Sequence, residues 1–183
     1  EPYFIEARFE VGALYIDNGQ LDNALVELKI VKKHKPRHRR LHTYFGMIYQ
    51  RWGLIQWSTL VRIDPDYLFK VDSTEVYFKK GESPEKVLLQ FKNQAQEDSL
   101  TANATNRLRG LYFDLAIYEY QQALKQDSKD TLAYLSMGLA YLERGKKSKA
   151  WEVLKSLEKL SSESAEILRR NIQHHEQTRG NPQ

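Results

Sequence analysis

Residues 131–157 read TLAYLSMGLAYLERGKKSKAWEVLKSL, and this stretch decides the fold class. Tyr134, Met137, Gly138 and Tyr141 recur at helical intervals and share one face of a helix. Gly145 marks a turn, and Ala150, Leu154 and Leu157 form the apolar stripe of a second helix. The same markers occur earlier in the chain. Gly12, Tyr15 and Gly19 are followed 34 positions later by Gly46, Tyr49 and Gly53. Ala116 and Tyr120 are matched by Ala150 and Leu154, again 34 on. A period of this size points to stacked helical units, each too small to bury its apolar face alone.

The first unit has the same form. Phe9, Gly12, Tyr15 and Ile16 lie on one helix, Asn18-Gly19 is the turn, and Ala24, Leu28 and Val31 lie on the next. Gly12 and Ala24 are small where two helices must cross closely, and Gly19 suits a left-handed helix end. Pro36 stops the second helix.

These residues resemble the tetratricopeptide repeat, a helix–turn–helix unit, with Ser162 standing where that family has proline. The resemblance implies an all-α fold, a right-handed superhelical solenoid with a C-terminal capping helix. Threaded on the chain it gives one domain with repeats at about 5–38, 39–66, 68–95, 97–130 and 131–163, and a cap at about 164–177. The third copy is irregular. Pro65 arrives early, the copy runs through Phe69, Phe78, Gly81, Val87 and Phe91, and Val71 to Phe78 reads equally as strand or loop. Ser83-Pro84-Glu85 reads as the start of a helix. The fourth copy reads as a weak first helix at Leu100, Ala104 and Leu108, then a second with Phe113, Ala116, Ile117, Tyr120 and Ala123. The last helix presents Ala165, Leu168 and Ile172 inward, with Arg169, Arg170 and Glu176 outward.

Composition suits helices. Of 183 residues 41% are hydrophobic and 28% charged, with only 9 Gly and 5 Pro. There is no cysteine, so disulfides, thiolate metal sites and a cysteine nucleophile are excluded. No apolar run reaches the ~18 residues that a membrane helix needs. Glu1-Pro2 opens the sequence without a leader pattern, as expected of a mature or trimmed chain. None of this assigns a compartment.

No phosphate-cradling loop, nucleophile elbow or metal-binding histidine pair is present, so neither catalysis nor a cofactor or metal is expected. His34, His38 and His42 are spaced by four, but Pro36 interrupts the helix and the neighbours are cationic; they read as solvated loop residues. Glu119, Glu143 and Glu152 read as acids on exposed faces.

Charge is uneven. From Glu27 to Asp64 no acid intervenes, yet nine lysines and arginines do, against a whole-chain net of +4. The densest part is Lys32, Lys33, Lys35, Arg37, Arg39 and Arg40. Such a run is either a solvated face or a docking patch for an acidic protein segment, nucleic acid or lipid surface, nucleic acid being the less favoured ligand.

In the family, first helices line a concave surface. The resemblance therefore implies a groove of Phe9, Ala13 and Ile16 in the first copy, and Arg40, Thr43, Met47 and Arg51 in the second. The last copy supplies Leu132, Leu135, Leu139 and Leu142. A helix apolar nearly all round must be covered on both sides. Three things can cover the leucines: the irregular middle segment, a partner peptide or amphipathic helix, or self-association through the Leu132–Leu142 stripe. Family members that grip a terminal carboxylate use lysine, arginine and asparagine; Phe9 and Ala13 stand at those inward sites here. The expected function is a non-catalytic protein–protein interaction module or scaffold, with docking of an anionic ligand on Lys32–Arg40 as the alternative.

Overall fold

The computed structural model describes residues 4–54 and 102–179, and among them it holds seven helices and no strand. We number these α1 (Ile5–Asp17), α2 (Leu21–His34), α3 (Leu41–Leu54), α4 (Ala102–Gln126), α5 (Thr131–Glu143), α6 (Lys147–Leu157) and α7 (Ser162–Arg179). The fold is an all-α helical repeat. The readings of the third copy and of Ser83-Pro84-Glu85 lie outside the described residues. The chain divides into two compact units, residues 1–48 with 116–183 and residues 49–115, and the division falls within α3 and α4.

In the first unit, α1 and α2 form a hairpin. Phe9, Gly12 and Ile16 share the buried face of α1, and a side chain at Gly12 would meet Leu28 of α2 at 2.9 Å. Helices α5 and α6 repeat the arrangement, with turns at Gly19 and Gly145 in the left-handed region (φ 75° and 70°) that glycine enters without strain. Asp130 caps α5, its carboxylate accepting from the Ala133 amide at 3.0 Å and from the Thr43 hydroxyl at 2.7 Å. One side chain thus satisfies an orphan helix amide and ties α5 to α3. Helix α7 packs on α5 and α6, with Ala165, Leu168 and Ile172 buried as the sequence suggested. Arg169 is drawn into ion pairs with Glu158 and Glu166, at 2.6 and 2.5 Å.

The second hairpin is not formed by neighbours in sequence. In the first hairpin Arg8 pairs with Glu27 at 2.7 Å and Gly12 faces Leu28. The positions 34 further on in α3 are His42 and Gly46; His42 pairs with Glu119 at 2.5 Å, and Gly46 faces Tyr120, both on α4. First-helix positions therefore advance by 34, while second-helix positions advance by 92. The end of α4 is the second helix of the hairpin that α3 begins, with 58 extra residues between them in sequence. This differs from the expected copies at 39–66 and 97–130. Residues 102–126 are one unbroken helix, not two, and Gly110 lies inside it without ending it.

The second unit is aromatic where it is described. Trp52 lies 5.9 Å from Tyr49 and 5.7 Å from Tyr112 between ring centroids. Gly53 abuts the Phe113 ring, where a side chain would approach to 3.0 Å, and Arg109 stands 5.7 Å over the same ring. The Trp52 contacts are packing contacts between aromatic rings.

Candidate functional site

The expected groove residues separate into two sets. Ala13, Met47, Leu132, Leu135 and Leu139 are half-buried, and Arg40 is exposed. Ala13, Met47 and Leu139 occupy the same register in their three hairpins, so each first helix contributes one partly accessible apolar side chain to a common row. Arg51 is half-buried too, but belongs to the second unit.

Phe9, Ile16, Thr43 and Leu142 are buried and do not line an accessible surface. Phe9 and Ile16 share the face that Gly12 turns to α2, and Phe9 also stacks on His38 at 4.1 Å and meets Tyr44 edge-on at 5.0 Å. Thr43 is held by Asp130. Leu142 sits at the register of Ile16, one turn before the glycine that reverses the chain, and is turned inward like it.

The stripe on α5 matches a helix covered on more than one side. Ala133, Met137 and Ala140 are buried, while Leu132, Leu135 and Leu139 are only partly covered. A helix with so little polar surface needs further cover at those leucines.

The basic stretch is partly spent on internal contacts. Lys32 reaches over the Phe45 ring at 5.2 Å, Lys35 pairs with Glu6 at 2.5 Å, and Arg39 meets Asp127 at 3.5 Å. Lys33, Arg37 and Arg40 are exposed and have no acidic partner among the described residues. Arg40 adopts a left-handed conformation (φ 64°) in the turn that opens α3.

The histidines are not the solvated loop residues the sequence suggested. Only His34 of the three is exposed. His38 is 6% exposed, its Nε2 lying 2.8 Å from Glu6 and its Nδ1 2.7 Å from the Arg39 carbonyl. Both ring nitrogens thus lie within hydrogen-bond distance of an oxygen. His42 pairs with Glu119, whose side chain is 2% exposed and not on an open face as expected. Glu119 falls on the apolar stripe Ala116, Tyr120 and Ala123 at helical spacing, a signal that marks it as inward-facing. No group of acids and histidines able to hold a metal occurs among the described residues.

Glu6 gathers this junction. Hydrogen bonds from Lys35 first, and then from His38, lower its carboxyl from 4.5 to about 2. A depressed carboxyl contributes stability that is present above its unfolded value and is lost as pH falls toward the folded one. Thermal unfolding followed by circular dichroism is therefore expected to weaken between about pH 4.5 and pH 2. Glu6→Gln should lower the midpoint at neutral pH and flatten that acid limb relative to the parent. Equal slopes in both proteins would remove Glu6 from the junction. The effect is modest, because the Glu6 side chain is 68% exposed.

Comparison with known families matches part of the chain. Residues 113–145 match the family model of the TPR repeat. The match begins near the middle of α4 and runs through α5. That is where a second helix passes into the next unit's first helix. TPR repeats generally mediate protein–protein interaction and are typically non-catalytic. No curated protein and no solved structure matches the chain.

Proposed function

We propose that this chain is a non-catalytic interaction module that holds a partner peptide or amphipathic helix on the surface lined by its first helices. The observation that carries the reading is the row Ala13, Met47 and Leu139, continued by Leu132 and Leu135 on α5. All five side chains are apolar and partly accessible, and Ala13, Met47 and Leu139 recur at one register. Full burial of the exposed part of such side chains supplies about 25 cal/mol per Å² removed from water, the main driving term for a helix docking in a groove.

The test is capture of partners from native extract on the immobilised chain. Leu135→Glu together with Leu139→Glu should abolish capture while helical circular dichroism is retained. Loss of the helical signal instead would mean that the stripe is internal core. Retained capture in a folded double variant would remove the groove reading.

Lys33, Arg37 and Arg40 favour a second reading, in which an acidic segment docks on the turn between α2 and α3. Neutralising these three should then abolish capture, and raising salt several-fold should strip the ligand. Groove binding should barely respond to either change.

A further inference from the structure

The outer faces of the three second helices share a register. In α2 it holds Val26, Lys29, Ile30 and Lys33; 92 positions on, α4 has Tyr118, Gln121, Gln122 and Lys125. A further 34 on, α6 and the turn after it have Glu152, Lys155, Ser156 and Lys159. The second and fourth positions are exposed in every hairpin, and the third is half-buried in every one. This register is therefore an open surface of the repeat itself, not a face on which one unit stacks on the next.

Two of the three helices treat it as a solvated face. Helix α4 fills it with polar side chains and a half-buried tyrosine, and α6 balances its charge, Glu152 holding Lys149 at 2.7 Å. Helix α2 does neither. Val26 is 57% exposed, and Ile30 follows it one turn on. Lys29 and Lys33 form a second row beside that pair at the same spacing. Neither lysine has an acidic partner among the described residues: Glu27 is held by Arg8 at 2.7 Å, and Asp22 stands two turns before Lys29. Two lysines alone would be a solvated face; the aliphatic row beside them is what such a face lacks.

Two adjacent rows, one aliphatic and one cationic, define what fits over them. An extended chain presents a single row of side chains on each face, whereas a helix sets rows three and four residues apart side by side. The fitting occupant is a helix with an apolar row and an acidic row. A lipid surface suits it less, because interfacial helices bury tryptophan, phenylalanine or leucine below the headgroups. One valine and a half-buried isoleucine offer little to insert.

We infer that the outer face of α2 docks an amphipathic helix of a partner protein, acidic where it meets Lys29 and Lys33 and apolar where it covers Val26 and Ile30. This surface shares no residue with the proposed groove and only Lys33 with the cationic turn.

The test uses the full chain, isotope-labelled, and a designed helical peptide with leucine and glutamate in adjacent rows. Titration should give saturable amide shifts centred on Val26, Lys29, Ile30 and Lys33. A peptide of the same composition with the two residue types dispersed round the helix should bind at least about tenfold more weakly. Lys29→Glu with Lys33→Glu should raise the dissociation constant at least about tenfold, and exchanging the peptide's glutamates for lysines should recover the affinity of that variant. Val26→Ser should raise it about threefold. All three side chains are exposed, so helical circular dichroism should be unchanged. Arg37→Gln with Arg40→Gln should leave the affinity within about twofold, which separates this surface from the cationic turn.

Five results overturn the inference. They are no saturable shift at millimolar peptide, shifts centred on Ala13, Met47 and Leu139, equal binding of the dispersed peptide, and unchanged affinity in the Lys29→Glu, Lys33→Glu variant. The fifth is binding to phosphatidylserine vesicles that those two substitutions abolish while the designed peptide fails to bind, which would make lipid the occupant.

Discussion

Gly46→Ala is expected to destabilise the protein by about 2 kcal/mol, although alanine is the better helix former. A methyl group at Gly46 would lie 2.5, 2.7 and 2.9 Å from three ring carbons of Tyr120. That ring is fully buried, so it cannot swing aside as an exposed side chain would. Overpacking a close-packed core costs about 1–3 kcal/mol, and contacts this short belong at the upper end. Against this stands a gain of about 0.8–1 kcal/mol from replacing glycine within a helix. Denaturant unfolding should show the loss as a lower midpoint with an unchanged slope. Tyr120→Leu in the same chain should relieve the clash, so that the double variant is scarcely less stable than Tyr120→Leu alone. Gly12→Ala is the control: its closest approach is 2.9 Å, to the end of the Leu28 side chain, and the effect should be much smaller. A neutral Gly46→Ala would mean that α3 and α4 do not cross there, and the assignment of α4 as the second half of a divided hairpin would fall with it.

That division explains which parts of the fold were legible. Hairpins whose two helices are adjacent in sequence can be read from period alone, because Gly12 with Ala24 and Gly138 with Ala150 lie within one window. The second hairpin carries the same markers, Gly46 and Ala116, but 70 residues apart. Nothing local to Gly53 says that the partner helix is remote, so a period-based reading looks for it at once and fills the interval with compressed copies. The information was nevertheless present as two separate 34-residue matches, one joining first helices and the other joining second helices. Only contacts such as Gly46 with Tyr120 join the halves.

The groove was legible in register but not in depth. Periodicity places Phe9, Ala13 and Ile16 on neighbouring faces of α1, yet the boundary between inward and accessible runs between Ala13 and the other two. It is set by where α2 crosses, at Gly12. Polar residues were misplaced for a related reason. Thr43, His38 and Glu119 read as surface by type, and each is buried because a specific partner from elsewhere in the chain satisfies it. Burial of a polar group follows its hydrogen bond, which a one-dimensional pattern does not contain.

The Glu119 pair shows how a repeat tolerates such a group, and it leads to the largest stability effect expected in this chain. His42→Ala should cost about 3–5 kcal/mol, because it leaves a carboxylate that is 2% exposed without its partner. The magnitude comes from the stranded charge and not from the worth of the pair itself. The other hairpins offer two repairs at the same register. The first hairpin uses Arg8 with Glu27 at 2.7 Å, so His42→Arg should recover most of the loss by supplying a cation that reaches the same carboxylate. The third hairpin places Tyr134 and the buried Val153 at these positions. Transplanting that pair, His42→Tyr with Glu119→Val, removes both charges together and should be near neutral, as apolar replacement of a buried ion pair commonly is. Chemical denaturation of the four proteins checks the series, with His42→Ala lowest and both repairs close to the parent. If His42→Ala lost less than about 1 kcal/mol, Glu119 would be behaving as a solvated surface acid. The shared register of the Arg8–Glu27 and His42–Glu119 contacts would then no longer support a second hairpin assembled from distant halves.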